Sequence, residues 1–105
     1  MSKYGNKQTA ARDGAVFGSK RECARYEDLL VLERVGEIKG LERQVRWLLI
    51  PSQVGERKVE YVSDFQYFDK AGKLHVEDTK GFRTKDYVIK RKLMLWIHGV
   101  KIEEI

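Results

Sequence analysis

The chain has 105 residues, of which 42% are apolar, with one cysteine, two histidines and a net charge of +5. That is one domain's length with enough apolar content for a modest core, which excludes a disordered chain. The lone Cys23 excludes an internal disulfide and suits a reducing interior, and so few Cys and His side chains exclude the usual zinc site.

No run approaches the ~18 apolar residues of a membrane span, so no membrane partner is expected. The opening residues MSKYGNKQTAARDG lack an apolar leader, and a cytoplasmic location is the expectation. Charge is unevenly spread. Residues 1–25 carry a net +4, residues 26–79 a net −3, residues 80–101 a net +6 and the last four −2. Two basic ends around an acidic middle suit a polyanion such as DNA or RNA, although a solvated basic surface has the same composition.

In chain order, residues 1–17 read as a flexible basic arm, in which Tyr4 offers a ring to stack on a base. Residues 18–105 form the folded domain. Ser19-Lys20-Arg21-Glu22 is a capping box that starts a helix running to about Val35, with Gly36 as its stop. A turn over Gly36–Gly40 leads to a first strand over Val45–Ile50. A second, alternating strand runs from about Lys58 to Phe68, with Tyr61, Ser63, Phe65 and Tyr67 on one side. Asp69-Lys70-Ala71-Gly72 is a hairpin turn into a third strand, Lys73–Lys80. Thr84 caps a second helix, whose apolar stripe reads Ile89, Leu93, Trp96 and Ile97, so Trp96, like Trp47, reads as core. Gly99 ends it, and Val100–Ile102 reads as a closing strand. The order α-β-β-β-α-β implies an α/β fold, a mixed sheet flanked by helices.

Three side chains in this frame can carry chemistry together. Asp78 and Lys80 share one face of the third strand, roughly 6.5 Å apart along the backbone. Asp64 lies on the preceding strand, near the hairpin that pairs it with Asp78. Converging carboxylates suit Mg²⁺ or Mn²⁺, and a lysine beside them offsets their repulsion. Asp-x-Lys alone is common on a solvated strand face. Asp64 adds weight because Val62-Ser63-Asp64-Phe65 is a costly place for a carboxylate without a partner. Glu77 faces away from Asp78 by alternation, and a bulge would reverse the two. Glu22 is explained by the capping box, with a metal-directed carboxylate as the alternative. Gln44, just before the first strand, is a candidate for positioning substrate or water. Arg25, Lys90, Arg91 and Lys92 are candidates for phosphate contacts.

The segments Phe17-Gly18-Ser19-Lys20-Arg21-Glu22, Arg25-Tyr26, Gly36-Glu37-Ile38, Leu41-Glu42-Arg43-Gln44, Tyr61-Val62-Ser63-Asp64-Phe65, Glu77-Asp78-Thr79-Lys80-Gly81, Thr84 and Lys90-Arg91-Lys92 together carry a resemblance. From about Tyr4 to the C-terminus, the chain resembles a family of phage- and prophage-associated proteins, the domain of unknown function 1064. That family is placed with the PD-(D/E)xK, restriction-endonuclease-like nucleases. The resemblance implies a restriction-endonuclease-like sheet, with Asp64 as the first motif and Asp78 with Lys80 as the second. It adds Glu22 from the first helix as a further metal ligand. Ser63 stands where the superfamily motif has proline.

The expected function is thus a Mg²⁺- or Mn²⁺-dependent endonuclease hydrolysing DNA, including branched or junction DNA of phage recombination, in a phage-infected or prophage-carrying bacterial cell. Asp64, Asp78, Glu22 and the Thr79 carbonyl would hold the metal, and a homodimer would set two sites on opposite strands. The rival expectations are a non-catalytic DNA-binding accessory protein and a partner-binding protein on a nuclease scaffold.

Overall fold

The computed structural model describes residues 8–79 and 82–105. Residues 1–7, with Tyr4, and the pair Lys80–Gly81 lie outside the described residues. Two helices flank a mixed β-sheet.

Residues 8–17 are not an arm. Strands β1 (Thr9–Ala10) and β2 (Val16–Phe17) form a small antiparallel hairpin. Phe17 anchors it, 2% exposed, with its ring 5.1 Å from that of Tyr26. A buried phenylalanine outweighs the basic composition of the segment, since burying one such side chain is worth about 1.5–3 kcal/mol. Helix α1 (Lys20–Arg34) follows, and Ser19 caps it by accepting the Glu22 N–H at 3.0 Å.

The next four strands make one long, bent hairpin. β3 (Ile38–Arg43) pairs with β6 (Phe65–Asp69), and β4 (Arg46–Ile50) pairs with β5 (Val59–Val62), both antiparallel. Two backbone bonds carry the ladder across the bend, Gln44 N–H to the Asp64 carbonyl at 3.1 Å and Ser63 N–H to the Val45 carbonyl at 3.0 Å. Strand β3 occupies a stretch that reads as turn and loop in the sequence. Its Ile-Lys-Gly-Leu-Glu-Arg pattern is broken by Gly40, which sits at φ +69° within a register shift, against the Phe68 ring.

The bend also breaks the alternation expected along Lys58–Phe68. Tyr61 and Phe65 are four residues apart, yet Tyr61 packs in the core beneath the second helix, while Phe65 and Tyr67 pack under α1. The interruption at Ser63–Asp64 therefore turns the strand over.

Strand β7 (Leu74–Asp78) pairs antiparallel with β6, and β8 (Glu103–Glu104) pairs parallel with β7. The sheet order is β3-β6-β7-β8. The closing strand lies just beyond the expected Val100–Ile102, whose Ile102 instead drops into the core.

Helix α2 (Lys85–His98) is capped by Thr84 and ended by Gly99 at φ +66°. It buries Tyr87 and Met94. The stripe expected to face inward is largely outside: Ile89, Trp96 and Ile97 are exposed, and Leu93 is half-buried. Apolar residues occur almost all the way round this helix, so periodicity alone cannot select the inner side. Tertiary contacts select it. The Tyr87 hydroxyl donates to Glu104 at 2.6 Å, and His98 Nε2 meets the Leu48 carbonyl at 2.7 Å.

Candidate functional site

The C-terminal end of β7 holds two consecutive carboxylates with opposite surroundings. Glu77 and Asp78 are 0% and 1% exposed. Alternation sends Glu77 toward α1 and Asp78 toward α2. Glu77 is fully engaged. Arg25 Nε donates to its Oε1 at 2.8 Å, Arg25 Nη2 to its Oε2 at 2.5 Å, and the Tyr67 hydroxyl also donates to Oε2. The carboxylate holds the Arg25 guanidinium charged, and burial with the bond to Glu77 pushes the Tyr67 phenol above its ordinary value. Arg25, a candidate for phosphate contact, thus spends its planar fork on a buried partner.

Asp78 accepts from the Tyr61 hydroxyl at 2.7 Å. The Tyr61 phenol is pushed far up, first by burial, then by the bond to Asp78 and its charge, with smaller effects from Tyr87 and Asp64. Both candidate carboxylates thus act on one phenol.

Asp64 stands at the bend, and three neighbours set its position. Its N–H donates to the Glu77 carbonyl at 3.1 Å, and its own carbonyl accepts from Gln44. Its Oδ2 accepts from the Thr79 N–H at 2.7 Å and from the Thr79 hydroxyl at 2.8 Å. The side chain is clamped across the end of β7, one residue beyond Asp78. Gln44 takes part through its backbone at φ +52°, the one non-glycine residue with positive φ among those described. Such a conformation costs a side-chain-bearing residue roughly 1–2 kcal/mol, which the ladder bonds on either side sustain.

The β8 side adds groups that strand parity in the sequence does not reveal. Glu104, opposite Asp78 in the parallel pairing, is bound by Arg83 at 2.6 and 2.8 Å, Arg91 at 3.0 Å and Tyr87 at 2.6 Å. Arg83 first, then Tyr87, lowers the Glu104 carboxyl to about 2. Arg91, another phosphate candidate, is therefore paired internally. On the opposite face, His75 bridges Asp69 and Glu103, at 2.7 Å from each, and lies stacked on Tyr67. The only sequence signal for these pairs is the isolated Glu103-Glu104 at the end of a basic stretch. A hollow of about 870 Å³ runs between β7 and residues 99–104 but has neither Asp64 nor Asp78 in its wall.

The remaining candidates are scattered. Glu22 lies one turn before Arg25 on α1, the helix over the Glu77 face. Lys90 is half-buried beside Ile50 and Glu60, and Lys92 is exposed. Lys80 lies outside the described residues. Among the described residues, no three Asp, Glu, His or Cys side chains group as a metal site. The donors at the end of β7 are oxygens from two carboxylates. That number suits Mg²⁺ or Mn²⁺, which keep much of their water shell and take one or two carboxylates from protein.

No helix among the described residues is long and apolar enough to cross a membrane. No curated protein and no solved structure matches the chain. A family model described as protein of unknown function (DUF1064) matches residues 1–101, and the chain belongs to that family.

Proposed function

We propose that the protein is a divalent-metal-dependent phosphodiesterase of nucleic acid, with DNA as its main substrate. What supports this reading is that Asp64 is joined to the end of β7, its N–H bonded to the Glu77 carbonyl and its carboxylate held by two donors from Thr79, the residue after Asp78.

Asp64 and Asp78 are the residues that would hold the cation, with Glu22 and the Thr79 carbonyl as further donors. When bound, Mg²⁺ or Mn²⁺ supplies a lowered pKa for water and polarises a phosphoryl oxygen. Tyr61 orients Asp78 through its hydroxyl, and the apolar core behind it keeps that carboxylate from turning away. Lys80 has the role of orienting water and offsetting negative charge. Gln44 acts as a positioning residue, since its backbone holds Asp64. The basic stretch 80–101, at net +6, supplies the attraction for a polyanion. A homodimer would present two such ends to the two strands of a duplex or junction.

Nicking of supercoiled plasmid and of a four-way junction in Mg²⁺ or Mn²⁺ tests the reading. Wild type is expected to nick, and Asp78→Asn and Lys80→Ala to lose at least about 100-fold in rate. Equal rates in all three remove the site. A second reading, DNA binding without cleavage, draws on the near-complete burial of Asp78 and its bond to Tyr61. Binding that persists with no cleavage in either metal favours it.

A further inference from the structure

The outward side of α2 carries a feature that the strand-end site does not use. Lys85, Ile89, Lys92 and Trp96 fall at successive four-, three- and four-residue steps and so form one stripe along the helix. Trp96 is 82% exposed and Ile89 56%. Lys85 and Lys92 are exposed too. Phe82, 78% exposed, stands just before the helix. An exposed indole in a small protein is not remarkable alone. Its alignment with two lysines is more specific.

The charges on the two flanks of α2 differ. On the inner flank, Arg83 and Arg91 are consumed by Glu104. On the outer stripe, Lys85 and Lys92 have no carboxylate partner among the described residues. Ile89, Leu93, Trp96 and Ile97 adjoin one another on this helix, and the two lysines beside them, rather than the apolar groups, are what favour an anionic ligand. The combination matches a strand whose phosphates are anionic and whose unpaired bases offer flat faces.

We propose that the outer stripe of α2 is a binding track for single-stranded nucleic acid, with Trp96 as the stacking platform for an unpaired base and Lys92 and Lys85 on the phosphates. A duplex offers no free base face to an indole on a convex helix, so the ligand is the unpaired strand. The track spans roughly 16 Å from Lys85 to Trp96. The inference rests on the nucleic-acid half of the proposed function and not on cleavage.

The test is fluorescence anisotropy of a labelled oligothymidylate with the full chain in EDTA, so that no cutting can occur. Wild type is expected to bind. Trp96→Ala is expected to weaken binding at least about five-fold, and Trp96→Phe, which keeps an aromatic face, to stay within about three-fold of wild type. Lys85→Ala with Lys92→Ala is expected to flatten the slope of log affinity against log salt by about 0.7 for each lysine. Unchanged affinity in Trp96→Ala, or no binding by wild type, overturns the proposal. So does a Trp96→Ala variant that binds normally but changes from dimer to monomer in sedimentation, which would assign the face to a second copy. Loss of binding to phosphatidylserine vesicles with oligonucleotide binding intact overturns it as well. Because binding is read without metal, absence of nicking with the stripe effect intact removes the catalytic reading and leaves this one standing.

Discussion

Arg25 and Glu77 join helix to sheet through two parallel bonds, at 2.8 and 2.5 Å, with the carboxylate fully buried and the arginine side chain 25% exposed. The pair is the polar centre of the α1 face. It also separates roles at the end of β7: Glu77 is saturated by protein donors, and its neighbour Asp78 faces the other way.

Removing one partner of such a pair leaves a buried charge uncompensated. Arg25→Ala is expected to cost about 3–5 kcal/mol in urea-induced unfolding. Arg25→Met combined with Glu77→Gln is expected to recover part of that loss, because no charge is then left unpaired. A cost below about 1 kcal/mol for Arg25→Ala would show the pair to be loosely solvated.

His75 gives the fold a pH dependence near neutrality. Its pKa is raised above 6.5, chiefly by Asp69, with burial opposing and Glu103 adding to the rise. A raised folded value means the stabilisation is complete below the unfolded pKa and disappears as pH rises through the folded one. Wild type is therefore expected to lose stability relative to His75→Gln as pH rises above the unfolded value of about 6.5. Parallel melting curves for the two proteins above that value would contradict this.

Glu104 acts at the acid end. Its carboxyl falls from 4.5 to about 2, first through Arg83, so its stabilisation is present above the unfolded value and is lost as pH drops toward about 2. Glu104→Gln is expected to lower stability at pH 7 by about 1–2 kcal/mol and to show a smaller further loss on acidification. Thermal melts at pH 7 and pH 3 measure both.

Gln44 separates backbone from side chain. Gln44→Gly relieves the positive φ and is expected to leave stability unchanged or raise it by up to about 1 kcal/mol, whereas Gln44→Val should cost about 1 kcal/mol or more. Under the proposed function, Gln44→Gly keeps most nicking activity if the backbone holds Asp64, and loses it if the side chain contacts substrate. Melting and nicking of both variants resolve the two.

Local chemistry made much of the fold legible. Ser19 and Glu22 start α1, Thr84 and Gly99 bound α2, and the Asp69–Gly72 turn sets the β6–β7 hairpin that brings Asp64 near Asp78. What sequence could not show depends on long-range pairing. Ile38–Arg43 is a strand because β6 offers it a ladder, despite Gly40 and its charges. The overturned strand at Ser63–Asp64 has no local signature, and it moves Tyr61 to the Asp78 side. The inner face of α2 is set by Tyr87 and His98 meeting groups far along the chain. Glu104 gains its meaning only when β8 comes to lie beside β7.

The proposed cation site of Asp64 and Asp78 can be read through the ion itself. Titration of the protein with Mn²⁺, followed by the electron paramagnetic resonance of the free ion, is predicted to give saturable binding. Asp64→Asn and Asp78→Asn should each weaken it by at least about ten-fold with the fold retained in circular dichroism. Mn²⁺ affinity that is the same in wild type and both folded variants would contradict the account.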